Sequence, residues 1–141
     1  MITVKLISNA VRPSEWLRYF PKGEPVWENC RFTFDRDARD YDWLVVYDDI
    51  PPSTGNDKYH AFEQLNCPQT QTLLVTTEPS SIKSYGKAFT AQFGYVLTSQ
   101  EPWALPHPNR IYTQPGLRWF YGVGRNHVRT CLLYTSPSPR D

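Results

Sequence analysis

Three carboxylates in this chain stand at the ends of predicted strands, where a general base or a cation ligand could sit. Glu78 follows the apolar run Thr72 to Thr76, and Asp48 with Asp49 follows Trp43 to Tyr47. Runs so rich in β-branched and aliphatic residues predict strands buried on both faces. In open α/β sheets, functional groups collect beyond the carboxyl ends of such strands. If the two strands are neighbours, the three carboxylates share one edge of the sheet. That cluster could act as a general base or hold a hard cation through its oxygens. Plainer roles are open to the same residues. Asp48 and Asp49 can simply begin a turn before Pro51 and Pro52, and Glu78 can sit at the positive end of a following helix.

The remaining chemistry-bearing residues carry less specific patterns. Asp35-Arg36-Asp37 after a short strand has the form with which metal-dependent sugar transferases hold a manganese-bound nucleotide sugar. Its setting, DRDARDYD, alternates in charge and reads more readily as a solvated loop. His60, His107 and His127 lack metal-ligand spacing, and no glycine-rich phosphate loop or GxSxG elbow is present. Lys83, Lys87, Arg110 and Arg118 are scattered, without the basic, aromatic-interleaved pattern of nucleic-acid binding. Cys30, Cys67 and Cys131 form no CxxC pair and are odd in number, which supports neither a disulfide framework nor a zinc site.

Positioning the carboxylates requires an alternating α/β chain. Ile2 to Ile7 predicts a first strand, followed by a short helix from Pro13 whose Trp16, Leu17 and Phe20 cover it, ending at Pro21-Lys22-Gly23. Arg31 to Phe34 predicts a second strand, Trp43 to Tyr47 a central one, and Thr72 to Thr76 the next. Pro79 suits the first position of a helix. Ile82, Tyr85, Phe89 and Phe93 then recur at three- and four-residue steps, predicting one apolar helix face that ends at Gly94. Tyr95 to Thr98 predicts a further strand, and the proline- and aromatic-rich stretch to Tyr121 a long loop. The expected fold is α/β: a Rossmann-like, mostly parallel sheet with flanking helices.

The chain of 141 residues is long enough for one hydrophobic core. Fifteen basic and fourteen acidic residues leave a net charge of +1, so no overall field draws it to nucleic acid or an acidic membrane. No run approaches the roughly 20 apolar residues that span a bilayer. The N-terminus lacks the apolar region of a signal peptide, so a cytoplasmic location is expected, peripheral to the membrane in a longer protein. The last eleven residues, CLLYTSPSPRD, resemble the translation of a sequencing-adapter read-through. The expected organisation is therefore a lobe over 1–125, a truncated end over 126–141, and an adapter-derived tail over 131–141.

TLLVTTEPSSIKSYG, AQFGYVLTSQ and PGLRWFYG, in that order and spacing, resemble glycosyltransferase family 10, the α-1,3/4-fucosyltransferases. In that family a strand ends in glutamate before a Ser/Pro-rich turn, a helix and a Phe-containing strand, and a loop leads to a Pro-aromatic-Tyr-Gly stretch. The resemblance implies the N-terminal acceptor lobe of a GT-B fold, with Glu78 as general base toward a glycan acceptor hydroxyl. Trp103, Tyr112 and Trp119 would then stack on the acceptor sugar or pack between lobes. It implies an inverting transfer from a nucleotide-sugar donor, GDP-fucose, with no metal or other cofactor. The donor-binding motif of the family's C-terminal lobe has no counterpart here, so this segment by itself is expected to be inactive. The rival reading is a stand-alone α/β regulatory module in which Asp48, Asp49 and Glu78 hold magnesium as in receiver domains. The lysine such a module needs after a later strand is not found.

Overall fold

The computed structural model describes residues 1–52 and 61–115. Seven strands form one sheet: β1 (Ile2–Ser8), β2 (Val26–Trp27), β3 (Cys30–Thr33), β4 (Trp43–Tyr47), β5 (Thr72–Val75), β6 (Tyr95–Thr98) and β7 (Arg110–Tyr112). Their order across the sheet is β2-β3-β1-β4-β5-β6-β7, parallel throughout except for the β2–β3 pair. Five strands coincide with expectation to within a residue or two. The short edge strands β2 and β7 fall in stretches whose prolines and lack of alternation read as loop.

The apolar runs do have two buried faces. On the first, Ile7, Leu44, Val46, Leu74 and Val96 pack against Tyr41, Tyr85, Phe93 and Leu105 from the connections. On the second, Leu6 and Tyr47 pack with Val11 and Trp16, supported by Tyr19, Phe34, Val45 and Val75. The connections that step outward from β4 to β7 place their buried residues on the first face, as right-handed crossovers advancing in one direction must. The β1–β3 connection lies on the opposite face. It includes α1 (Pro13–Trp16), which continues as a 3-10 turn over Leu17–Tyr19. The chain therefore leaves β1 in one direction, returns across it, and proceeds in the other, which puts the topological switch point between β1 and β4.

The long helix predicted after Pro79 is absent. Ile82 and Lys83 both donate backbone N–H bonds to the Pro79 carbonyl, making a single turn, and the only helix of this connection is α2 (Lys87–Thr90). Gly86, extended at φ −56° and ψ 140°, separates the two. Glycine is costly in a helix interior, and serines at 80, 81 and 84 compete for backbone bonds. Tyr85 and Phe93 are buried as expected, but Ile82 is 71% exposed. Among the described residues the flanking layers consist of short turns and two four-residue helices.

Candidate functional site

Because β4 and β5 are parallel neighbours, Asp48, Asp49 and Glu78 do share the carboxyl edge. They do not form one cluster. Asp48 turns the chain at φ 69°, a left-handed conformation that aspartate tolerates better than most residues, while its N–H donates to the Val75 carbonyl at 2.9 Å. Its carboxylate is a hub. Tyr85 Oη donates to Oδ1 through a short hydrogen bond, Thr77 Oγ1 donates to the same oxygen at 2.9 Å, and Lys83 Nζ reaches Oδ2 at 3.1 Å. Lys83 also binds Asp49 at 2.6 Å and lies 4.7 Å from the Tyr85 ring centroid. Burial pushes the Asp48 carboxyl up, but the bonds from Tyr85, Thr77 and Lys83 outweigh it and hold the group below its usual range. Burial, reinforced by the Asp48 bond, raises Tyr85. For Lys83, burial works downward and the two carboxylates more than reverse it.

Glu78 stands apart from this hub. Its carbonyl accepts the Gln100 side-chain amide at 2.8 Å, and the same amide donates to the Lys83 carbonyl at 2.9 Å. Gln100 is 1% exposed, so this one side chain clamps both ends of the turn that follows Glu78. The Glu78 carboxylate is part-exposed and has no hydrogen bond or ion pair to any described residue. No long helix follows it, which removes the expected dipole at its position.

Beyond Gln100 the edge is aromatic and mixed in charge. The Ser80 hydroxyl donates to Glu101 at 2.7 Å and, with a weaker contribution from the Arg110 charge, holds that carboxyl below its ordinary value. Arg110 donates a short bond to the Gln100 carbonyl, lies 5.7 Å from the Tyr112 ring centroid, and has a buried Nε without a partner among the described residues. Trp103 is 77% exposed and Tyr112 73%. Trp119 lies outside the described residues, as do His60, His127, Arg118 and the whole of 116–141.

Elsewhere the candidates have structural partners. Asp35 Oδ1 accepts the Asp37 N–H at 2.9 Å, so the DxD segment caps its own turn. Between the two aspartates, Arg36 points inward to Glu63, which correspondingly departs from a fully solvated loop. His107 Nδ1 accepts the Asn109 N–H, which leaves Nε2–H to donate to the Phe93 carbonyl at 2.9 Å. Among the described residues no group of three or more His, Cys, Asp or Glu side chains could hold a metal ion. Lys83 occupies the position between Asp48 and Asp49 that a magnesium site would need. No described helix is long and apolar enough to cross a membrane.

No family model, curated protein or solved structure matches the chain. What the site can do follows from its own geometry: one carboxylate unengaged by the described residues, a hub with several partners near it on the same edge, and two exposed aromatic rings, Trp103 on the connection before β7 and Tyr112 in β7.

Three residues that organise this edge carry no sequence signal as site residues. Gln100, Thr77 and Tyr85 act through contacts made across turns, and only the topology brings them to Asp48 and Glu78. Lys5, buried and paired with Glu63, is a further residue outside the expected set, and its isolated charge in the apolar run ITVKLI is the signal that could have found it.

Proposed function

We propose that this chain is the acceptor-binding lobe of an inverting fucosyltransferase-like glycosyltransferase, with Glu78 as its general base. The observation that carries the reading is the contrast at the carboxyl edge. Asp48 and Asp49 are both engaged by Lys83, whereas Glu78, at the end of the neighbouring strand, has a carboxylate with no partner among the described residues to keep it from an incoming hydroxyl. In the proposed reaction Glu78 takes the proton of an acceptor hydroxyl as that oxygen bonds to the anomeric carbon of the donor sugar. The bond to GDP breaks on the opposite face, and configuration inverts. Trp103 and Tyr112 offer flat apolar surface to the acceptor's C–H face. The donor would be held by polypeptide beyond this segment.

The test is transfer from GDP-fucose to an array of glycan acceptors by the uninterrupted protein. Glu78→Gln is expected to lower kcat by about 10²- to 10⁴-fold, the usual contribution of a positioned base. Trp103→Ala and Tyr112→Ala are expected to raise the acceptor KM with less effect on kcat. A Glu78→Gln enzyme that turns over like wild type would sink the assignment, and the 141-residue chain alone should show no turnover.

A further inference from the structure

A concave site lies at the switch point between β1 and β4. It is a hollow of about 150 Å³, with walls formed by Leu6, Val11, Trp16 and Phe34 and a rim carrying Ser8 and Arg36. Open α/β sheets bind ligands at this place because the connections on either side diverge and leave a crevice. The walls are fixed. Trp16 is 7% exposed, stacks on Phe34 at 6.1 Å and 17°, and meets Tyr47 edge-on at 5.2 Å.

The rim supplies donors. Ser8 Oγ accepts the Ala10 N–H at 3.0 Å, which leaves its own O–H to donate. Arg36 reaches over the end of β1, giving Nε to Glu63, Nη1 to the Pro51 carbonyl and Nη2 to the Phe62 carbonyl. A guanidinium has five N–H groups, so two are without a partner among the described residues, on a side chain 29% exposed. Glu63 is shared with Lys5, and two cations around one carboxylate leave a positive charge at this rim.

We infer that the hollow is a binding site for a small ring-bearing carboxylate, its ring against Trp16 and Phe34 and its carboxylate on Ser8 and Arg36. An apolar cavity of about this volume accepts a benzene ring, and a planar guanidinium suits a carboxylate head. The site is separate from Glu78, which ends a strand two places away in the sheet, and it does not rest on the sugar-transfer reading.

The probe is benzoate, titrated into the full 141-residue chain carrying fluorotryptophan and followed by fluorine NMR, with the Trp16 resonance assigned through Trp16→Phe. A saturable shift of that resonance in the millimolar range is expected, with benzyl alcohol binding about tenfold more weakly because it offers no charged acceptor. Val11→Phe, which fills the hollow, should abolish the shift. Ser8→Ala should weaken it several-fold and leaves the fold intact should the larger substitution not. Absence of a saturable Trp16 shift, or retained binding in a folded Val11→Phe chain, would overturn the site. Equal affinity for benzoate and benzyl alcohol would overturn the roles of Ser8 and Arg36.

Discussion

A carboxylate can be placed at a strand end either to react, the role proposed for Glu78, or to hold the edge together. Asp48 does the second. Asp48→Asn keeps a side chain that tolerates the left-handed backbone but loses the charge that Lys83 and Tyr85 address. Unfolding in urea at neutral pH should show a loss of about 1.5–3 kcal/mol, the range for a hydrogen bond to a charged group. The sign of its pH dependence follows from the shifts. Asp48 lies below its ordinary value of 3.8 when folded, so its contribution is present above that pH and fades as pH falls through the folded value. Lys83 lies above 10.5 and Tyr85 above 10.0, so theirs is present below those values and is lost on the alkaline side. The gap between wild type and Asp48→Asn should therefore be flat through neutrality and close in acid; a gap that widened in acid would contradict the hub. The three carboxylates themselves were readable from sequence because each ends an apolar run. Their division of labour was not, since it depends on where Lys83 points.

At the scale of elements, strands were legible and helices were not, for different physical reasons. Trp43–Tyr47, Thr72–Val75 and Tyr95–Thr98 are apolar at consecutive positions, which only a sheet buried on both faces accommodates. The helical spacing of Ile82, Tyr85, Phe89 and Phe93 was equally regular, yet Gly86 and the serines interrupt it, and the Gln100 clamp and Tyr85–Asp48 bond favour a compact turn. Ile82→Ser separates the two arrangements. On a packed helix face it would cost about 2 kcal/mol or more, whereas at 71% exposure thermal unfolding should move by no more than about 0.5 kcal/mol in equivalent stability. Gly94 was legible as a stop but for another reason. A Cβ there would lie 2.7 Å from the Gln69 carbonyl oxygen and 2.9 Å from Thr70 Cα, both backbone, so β6 can pass the start of β5 only without a side chain. Gly94→Ala should destabilise the fold by about 1–3 kcal/mol, as overpacking does, measured by urea midpoint; an unchanged midpoint would mean that the two backbones separate freely.

For the molecule as a whole, the link that joins the connections to the sheet is ionic and buried. Lys5, at 0% exposure in the middle of β1, donates to the Arg36 carbonyl at 2.6 Å, the Ala38 carbonyl at 3.0 Å and Glu63 at 2.7 Å. Glu63 returns its other oxygen to Arg36, and Arg36 fastens the Pro51 and Phe62 carbonyls. The β3–β4 and β4–β5 connections are thereby tied to the central strand at one point, beside the switch-point hollow. No spacing rule in the sequence pairs residue 5 with residue 63, because the contact exists only after both connections have crossed the same face. Removing one partner should be far worse than removing the charges together, since an unpaired buried ammonium keeps its desolvation cost. Glu63→Leu is accordingly expected to lose about 3–5 kcal/mol, and Lys5→Met less, because Arg36 still pairs the Glu63 carboxylate. The Lys5→Met/Glu63→Leu pair should recover much of either loss, with Arg36 still held by its two carbonyls. A urea double-mutant cycle reads this directly: strong positive coupling is the expected result, and additive losses would show that the three charges fold as separate residues rather than as the bolt between the connections and β1.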